Sequence, residues 1–380
     1  MKKLQIHTGV ALAATLVCIT LIYFGCARDS SVTNYVVSQP SQPPFELDSV
    51  AEPPIMKSNF VVLTHSRYLF YNLAKEIASY HGAALIHIND NTFDRITEKL
   101  KAVQPEYAIV VLPPYLITPD LVANLFKCFC TMNDDIYPDV QFGYITGYTL
   151  DDARDLFYRD QQDTVQLNKF LGVSHVFDGG DWVRPYLANF AEQFRSAGWN
   201  GDTAIINHTS WTSNVAEEVK KFSSHQLIFF VGHGDYSCSC DVNASDLVNS
   251  DLTGDVVLSG ACFTGATCSE GPPSDFIALR ILKQGAAAYE SRVIVNGWGK
   301  WAAASVAEGN TTWGEAVRSG ILSEMNQFVE DTLDILTDEE MNEKYPAGNF
   351  PLINETARII PFGDPSFKPK VKSAVTISLM

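Results

Sequence analysis

The sequence has few basic residues for its length, and this scarcity argues against one class of function. Lysine and arginine together number 27 of 380 residues, against 44 aspartates and glutamates, which gives a formal net charge of −17. Binding to nucleic-acid phosphates or to an anionic membrane surface depends on clustered basic side chains. No such cluster is visible, so we expect no nucleic-acid partner.

The sequence also lacks a regular cysteine framework. Of its eight cysteines, Cys18 and Cys26 fall in the first 26 residues, and taking Cys262 as a free thiol leaves an odd number for disulfides. The two Cys-x-Cys pairs are more than 100 residues apart, whereas structural zinc sites use closer pairs with wider internal spacing, so we predict no metal site. The cysteines after the leader are Cys128, Cys130, Cys238, Cys240, Cys262 and Cys268.

The first 26 residues have the layout of a bacterial export signal. Lys2 and Lys3 precede an uncharged run at 9–25, so we expect the protein to leave the cytoplasm. The Gly25-Cys26 end resembles a lipoprotein processing site and predicts lipidation of Cys26, but the bulky residues before it depart from that pattern. An uncleaved signal anchor is the alternative. Either form would attach the protein to a membrane.

Alternating strand and helix patterns follow a proline-rich stretch. Residues 27–57 have little to bury and predict an extended linker. Beyond it, the alternation is typical of parallel strands joined by crossover helices. We expect an α/β/α sandwich of mostly parallel sheets, with an N-terminal subdomain at 58–147 and a catalytic subdomain at 148–380. Predicted strands include 60–64, 84–88, 107–112, 140–146, 172–177, 203–206, 226–231, 255–259 and 371–379, and predicted helices include 67–80, 92–103, 149–170, 182–197, 213–222, 274–284 and 312–328.

Two of the predicted strands each lead into a reactive side chain. The apolar run 226–231 leads into Gly232-His233-Gly234, and the run 255–259 leads into Gly260-Ala261-Cys262. Such runs are typical of strands buried on both faces of a parallel sheet. Because ligands gather outside the carboxyl ends of parallel strands, we expect His233 and Cys262 to face one cleft. His65, His81 and His87 are scattered, and we interpret them as surface or core residues.

A cysteine and a histidine in one cleft can cleave an amide. The thiolate attacks the carbonyl carbon, and the histidine delivers a proton to the leaving nitrogen. Gly234 lets the backbone approach, so its N–H and that of Cys262 are the expected oxyanion donors. A buried cysteine that acts only as a small apolar residue is the alternative.

These motifs resemble the caspase-fold clan of cysteine peptidases, and within it the gingipain type. The resemblance extends over about 58–370. It implies an endopeptidase with Cys262 as nucleophile and His233 as general acid, acting on proteins or peptides. No cofactor is required for the chemistry, and structural calcium is implied only by the family, since no calcium motif is present. Further similar segments are 139–145, 149–153, Gly265, 285–289, 313–316 and 362–366.

The resemblance also implies roles for two acids after the predicted strand 172–177. Asp178 matches the acid that orients the catalytic histidine, and Asp181-Trp182 matches the pair that lines the pocket for a basic side chain in arginine-specific members. A carboxylate facing a guanidinium gives bidentate selectivity, so cleavage after Arg or Lys is expected. The loop between the acids is shorter here, and the alternative is that Asp178 and Asp181 are turn and N-cap residues.

Other functions remain open at the level of sequence. A catalytically silent relative could serve as a surface binding or assembly protein, and a transpeptidase would resolve the same acyl-enzyme with an amine. Cys238 and Cys240 follow His233 closely, so they could form a regulatory disulfide. The oligomeric state is not indicated.

Overall fold

The computed structural model describes ten segments of the chain. The leader with Cys26, most of the linker, and the predicted site residues Asp178, Asp181 and Trp182 lie outside them. The described segments are 57–89, 91–133, 137–159, 166–176, 183–207, 213–268, 271–293, 300–309, 311–333 and 358–372. No helix within these segments is long and apolar enough to cross a bilayer.

The fold is built on one ten-stranded sheet, in the order β2-β1-β3-β4-β12-β11-β10-β7-β5-β6. A two-stranded hairpin, β8–β9, stands apart from it. The strands are β1 (Phe60–Thr64), β2 (Ala84–His87), β3 (Tyr107–Val111), β4 (Gln141–Ile145), β5 (Lys169–His175), β6 (Asn200–Ile206), β7 (Leu227–Phe230), β8 (Cys238–Ser239), β9 (Val242–Asn243), β10 (Val256–Ser259), β11 (Ala288–Arg292) and β12 (Ile359–Phe362).

Helices connect the strands and flank the sheet, and the predicted α/β class is confirmed. The predicted helix start at 149 is also confirmed, because the Thr149 side chain accepts a hydrogen bond from the first turn of α4, and the Thr118 side chain caps α3 in the same way. The helices are α1 (Phe70–His81), α2 (Phe93–Val103), α3 (Pro119–Cys130), α4 (Leu150–Tyr158), α5 (Val183–Ser196), α6 (Val215–Glu218), α7 (Ile277–Lys283), α8 (Lys300–Glu308) and α9 (Trp313–Leu333).

Two groups of parallel strands meet at β12. The first four strands pair in parallel with one another, and so do β5, β6, β7, β10 and β11. Strand β12 is antiparallel to β11 and joins β4 through one register pair, Tyr144 with Phe362. The subdomain boundary at 147/148 stays a prediction.

The structure differs from the predicted elements in three places. The helix predicted at 149–170 ends at Tyr158, and Lys169 and Phe170 instead begin β5. The sequence of 361–367 favours a turn because it contains two prolines and a glycine, yet residues 361 and 362 are the last two residues of β12. Proline is uncommon inside a sheet because it lacks an N–H, and Pro361 therefore obscured this strand. The helix predicted at 213–222 is a single turn, α6, followed by a 3₁₀ segment, Val219–Ser224. Of the predicted strand 371–379, only residues 371 and 372 are described.

Candidate active site

His233 and Cys262 follow two neighbouring parallel strands at the same level. The register pairs Phe230 at the end of β7 with Ser259 at the end of β10, and the Gly260 N–H donates to the Phe230 carbonyl at 2.8 Å. His233 and Cys262 each lie three residues beyond this last pair. Both residues therefore lie at the carboxyl edge of adjacent strands, as the sequence predicts.

The turn that carries Cys262 is held by buried hydroxyl groups. The Ser259 hydroxyl accepts from the Ala261 N–H at 3.3 Å and from the Thr264 hydroxyl at 2.9 Å. Phe263 adopts a left-handed backbone with φ of 56°, a conformation that is rare for a bulky residue. Cys262 itself is 8% exposed. Because serine and threonine are common at strand ends, the role of these hydroxyls in holding the turn could not be predicted from the sequence.

Gly234 brings the histidine loop against the cysteine loop. A Cβ atom at this position would lie 2.9 Å from the Ala261 Cβ and 2.8 Å from the Thr264 Cγ2. Gly234 also forms an isolated bridge with Ser239, whose two hydrogen bonds run from Asp235 N–H to the Cys238 carbonyl and from Cys240 N–H to the His233 carbonyl. The Gly234 N–H is therefore not used in the bridge, which is compatible with its predicted role as an oxyanion donor.

The hairpin β8–β9 places an acid beside this loop. Its two connecting residues, Cys240 and Asp241, have φ of 51° and 61°, the combination typical of a type I′ turn. The Asp241 carboxylate lies 2.8 Å from Nδ1 of His175, the last residue of β5. On its other side, His175 Nε2 accepts a hydrogen bond from the backbone N–H of His233 at 3.2 Å.

Sequence reasoning missed His175 and Asp241. The predicted strand continued to Phe177, so His175 looked like an interior strand residue, whereas β5 ends at His175. Asp241 was hidden because the Cys-x-Cys motif drew attention to the thiols before it. The signal that could have found them is the hairpin turn itself, a short polar pair between two brief β segments.

The environment of His233 favours its neutral form. Although part of the residue is open to solvent, the surrounding protein atoms lower the pKa of the imidazole, and the neighbouring His175 acts in the same direction. The Asp241 carboxylate opposes this shift and raises the pKa. A neutral imidazole can accept the proton of a thiol, which is the first requirement of a general base.

The other thiols near the site are protonated at neutral pH. Burial raises the pKa of Cys238 to about 12 and also raises the pKa of Cys240. Within the described residues, none of the six cysteines is part of a disulfide. The regulatory disulfide between Cys238 and Cys240 stays a prediction.

The residues that the structure describes contain no candidate metal site. No group of three or more His, Cys, Asp or Glu side chains among them is placed to hold a metal ion. The calcium expectation, the orienting role of Asp178 and the pocket formed by Asp181 and Trp182 stay predictions.

Comparison with known proteins gives structural likeness without sequence likeness. No family model matches the sequence, and no curated protein matches it. Among solved structures, the arginine-specific cysteine proteinase gingipain R (RgpB) matches with a TM-score of 0.58 at 14% identity, over 83% of this chain and 80% of that one.

Two further structures match similarly. The complex of the RgpB pro- and mature domains from Porphyromonas gingivalis gives a TM-score of 0.57 at 14% identity, over 82% of this chain and 79% of that one. A structure described only as a protease gives 0.56 at 12% identity, over 83% and 79%. The chain therefore has a gingipain-like fold.

Proposed function

We propose that the protein is an exported cysteine endopeptidase in which Cys262 is the nucleophile and His233 the general acid and base. The observation that carries this proposal is the register of β7 and β10, which puts the two residues at matching positions beyond adjacent strand ends. A cysteine that served only as a small apolar residue would not need a histidine at the matching position.

The proposed reaction uses both side chains in each half. His233 takes the thiol proton of Cys262, and Sγ attacks the peptide carbonyl carbon to form a tetrahedral oxyanion. The C–N bond then breaks while His233 returns its proton to the leaving nitrogen, which leaves a thioester on Cys262. Water attacks the thioester while His233 takes one of its protons. The C–S bond then breaks and His233 returns that proton to Sγ, which releases the acid and restores the thiol and the neutral imidazole.

Backbone groups would stabilise the oxyanion. The N–H groups of Gly234 and Cys262 are the proposed donors, because the Gly234 N–H is outside the hairpin bridge and the two loops are in contact. Removing one such donor typically slows a reaction by about 100-fold or more.

The proposal also covers the residue preferred before the cleaved bond and the attachment of the protein to a membrane. Asp181 beside Trp182 would select a basic side chain before the cleaved bond, because a carboxylate pairs well with a guanidinium. The leader would export the chain and anchor it through lipidated Cys26. Membrane fractionation tests the anchor: release of Cys26→Ala supports lipidation, and retention favours an uncleaved span.

Peptide cleavage by the full-length protein tests the proposed activity. Fluorogenic peptides with Arg, Lys, Asn or Asp before the reporter are incubated with wild type and with Cys262→Ala. The matched control is Cys268→Ala, which removes a partly buried thiol from the same loop. We expect cleavage after Arg or Lys by wild type and Cys268→Ala, and none by Cys262→Ala.

Other outcomes of the same assay separate the alternatives. Equal background for wild type and Cys262→Ala would contradict the peptidase and favour a silent binding protein. Cleavage only after Asp or Asn would contradict the Asp181 pocket. Products joined to an added amine, detected by mass spectrometry, would identify a transpeptidase.

A further inference from the structure

His233 is held through its backbone on both sides. Its N–H donates to His175 Nε2 at 3.2 Å, and its carbonyl accepts from the Cys240 N–H at 2.8 Å. His233 follows β7 by three residues, beyond the ladder that fixes the strand. These two hydrogen bonds therefore restrain the backbone from which the imidazole of His233 projects.

The hydrogen bonds of His175 define its protonation. Nε2 accepts from a backbone N–H, so it carries no proton, and the single ring proton lies on Nδ1. Nδ1–H then donates to the Asp241 carboxylate at 2.8 Å. The result is a continuous chain of hydrogen bonds from Asp241 through His175 to the backbone of His233.

Packing leaves His175 little freedom. The residue is 8% exposed, and a Cβ at Gly232 would lie 3.0 Å from its Cδ2 and 2.9 Å from Cys240 Sγ. Its ring meets that of His233 edge to face, with 5.7 Å between centroids. A shift of His175 would thus be transmitted to both the backbone and the ring of His233.

We propose that His175 and Asp241 form a positioning pair that holds His233 in the orientation needed for proton transfer to and from Cys262. This inference rests on the proposed function. We assign the pair a positioning role, because its hydrogen bond reaches the backbone of His233. His175 contributes the acceptor at Nε2, while Asp241 keeps the ring proton of His175 on Nδ1. This arrangement of a second histidine and an acid depends on the hairpin turn of Cys240 and Asp241.

A small set of variants separates positioning from simple stability. His175→Leu keeps the volume but removes the acceptor, whereas His175→Gln can present Oε1 to the His233 N–H. We expect His175→Leu to lower kcat by about 100-fold with KM changed less than about threefold, because a misplacement of roughly 1 Å has an effect of this size. His175→Gln should recover at least about tenfold of that loss.

The matched control lies at the opposite edge of the sheet. His81 pairs with Asp364 at 2.8 Å, and its side chain is 9% exposed, as is that of His175. His81→Leu should lower the melting temperature and leave kcat per folded molecule unchanged. Thermal melts of every variant give the folded fraction used for normalisation.

A spectroscopic readout keeps the proposal testable even if His175→Leu does not fold. In wild-type protein labelled with 15N-histidine, we expect His175 to be protonated at Nδ1 and unprotonated at Nε2 at neutral pH. A proton on His175 Nε2 would overturn the proposal, as would full activity of folded His175→Leu or equal loss in His175→Leu and His175→Gln. If wild type cleaves no peptide, both the proposed function and the positioning pair are overturned. If wild type and folded His175→Leu are equally active, only the positioning pair is overturned.

Discussion

Two histidine–aspartate pairs, His81 with Asp364 and His175 with Asp241, lie at opposite edges of the sheet. They have the same hydrogen-bond distance but different surroundings. In each pair the ring nitrogen and the carboxylate oxygen are 2.8 Å apart. Asp364 follows β12, which is antiparallel to β11, so it lies at the edge opposite Cys262. The side chain of Asp364 is 1% exposed and that of Asp241 is 37% exposed.

The buried pair ties distant parts of the chain together. The Asp364 carboxylate also accepts from the N–H and hydroxyl of Ser366, and the His81 ring stacks on Phe60 with 4.1 Å between centroids. The pair thus joins the end of α1, the start of β1 and the segment after β12. The more open pair instead uses its second ring nitrogen on the backbone of His233. The same two residue types stabilise the fold at one edge and restrain a candidate catalytic residue at the other.

The largest expected effect on activity comes from adding a methyl group at Gly234, between the two loops of the candidate site. Gly234→Ala would bring Cβ into the Ala261 and Thr264 side chains and push the histidine loop away from the cysteine loop. We expect kcat/KM to fall by about 100-fold or more and stability by about 1–3 kcal/mol. Steady-state kinetics and chemical denaturation measure both quantities.

The matched glycine lies beside the buried pair. Gly82 ends α1 with φ of 60°, and a Cβ there would meet no atom within 4 Å. Gly82→Ala should cost about 1 kcal/mol from the left-handed backbone and leave kcat/KM unchanged. Equal activity losses in the two variants would remove the distinction between the two edges.

Replacing the aspartate of each pair by alanine should separate an effect on stability from an effect on activity. Asp364→Ala leaves a buried histidine and two Ser366 donors without their acceptor, so we expect a loss of about 3 kcal/mol in unfolding free energy and normal kcat per folded molecule. Asp241→Ala should cost about 1 kcal/mol or less, because its carboxylate is more exposed, yet it should reduce kcat. The reverse pattern would contradict the assigned roles.

A buried acid at the start of β10 makes stability depend on pH. Burial raises the pKa of Asp255 from 3.8 to about 8. The folded state then holds a proton that the unfolded state releases, so this contribution to stability is fully present below about pH 4 and is lost as pH rises to about 8. Asp255→Asn should therefore stabilise the protein relative to wild type by about 5 kcal/mol more at pH 8 than at pH 4. Denaturation midpoints across this range provide the measurement, and a constant difference would contradict it.

The smallest expected effect concerns the pH profile of kcat/KM, on its low-pH limb. Because burial lowers the pKa of His233, we expect the low-pH limb of the profile to lie below the ordinary histidine value of about 6.5. Asp241→Asn keeps an acceptor for His175 but removes the charge that raises this pKa, so the limb should move to lower pH. His81→Gln should leave it in place. A limb that does not respond to Asp241→Asn would show that this carboxylate does not influence the titrating group.

The sequence predicted the parts of the molecule that depend on local pattern. Apolar runs ending in glycine indicated β7 and β10, and their relation to His233 and Cys262 followed from the geometry of parallel sheets. Strand β12 was missed because proline at 361 favours a turn when read alone. His175 and Asp241 were missed because their partnership depends on a hairpin turn that brings together residues 66 positions apart.

Covalent labelling of Cys262 tests the central claim most directly. A peptidyl acyloxymethyl ketone with arginine next to the reactive group is added to wild type, His233→Ala and Cys268→Ala, and the labelled residue is located by peptide mass spectrometry. We expect labelling of Cys262 in wild type and Cys268→Ala, in a reaction that competing peptide slows, and at least about 100-fold slower labelling in His233→Ala. Labelling of Cys262 at the same rate in His233→Ala, or no labelling of Cys262 in wild type, would contradict a catalytic pair at these two strand ends.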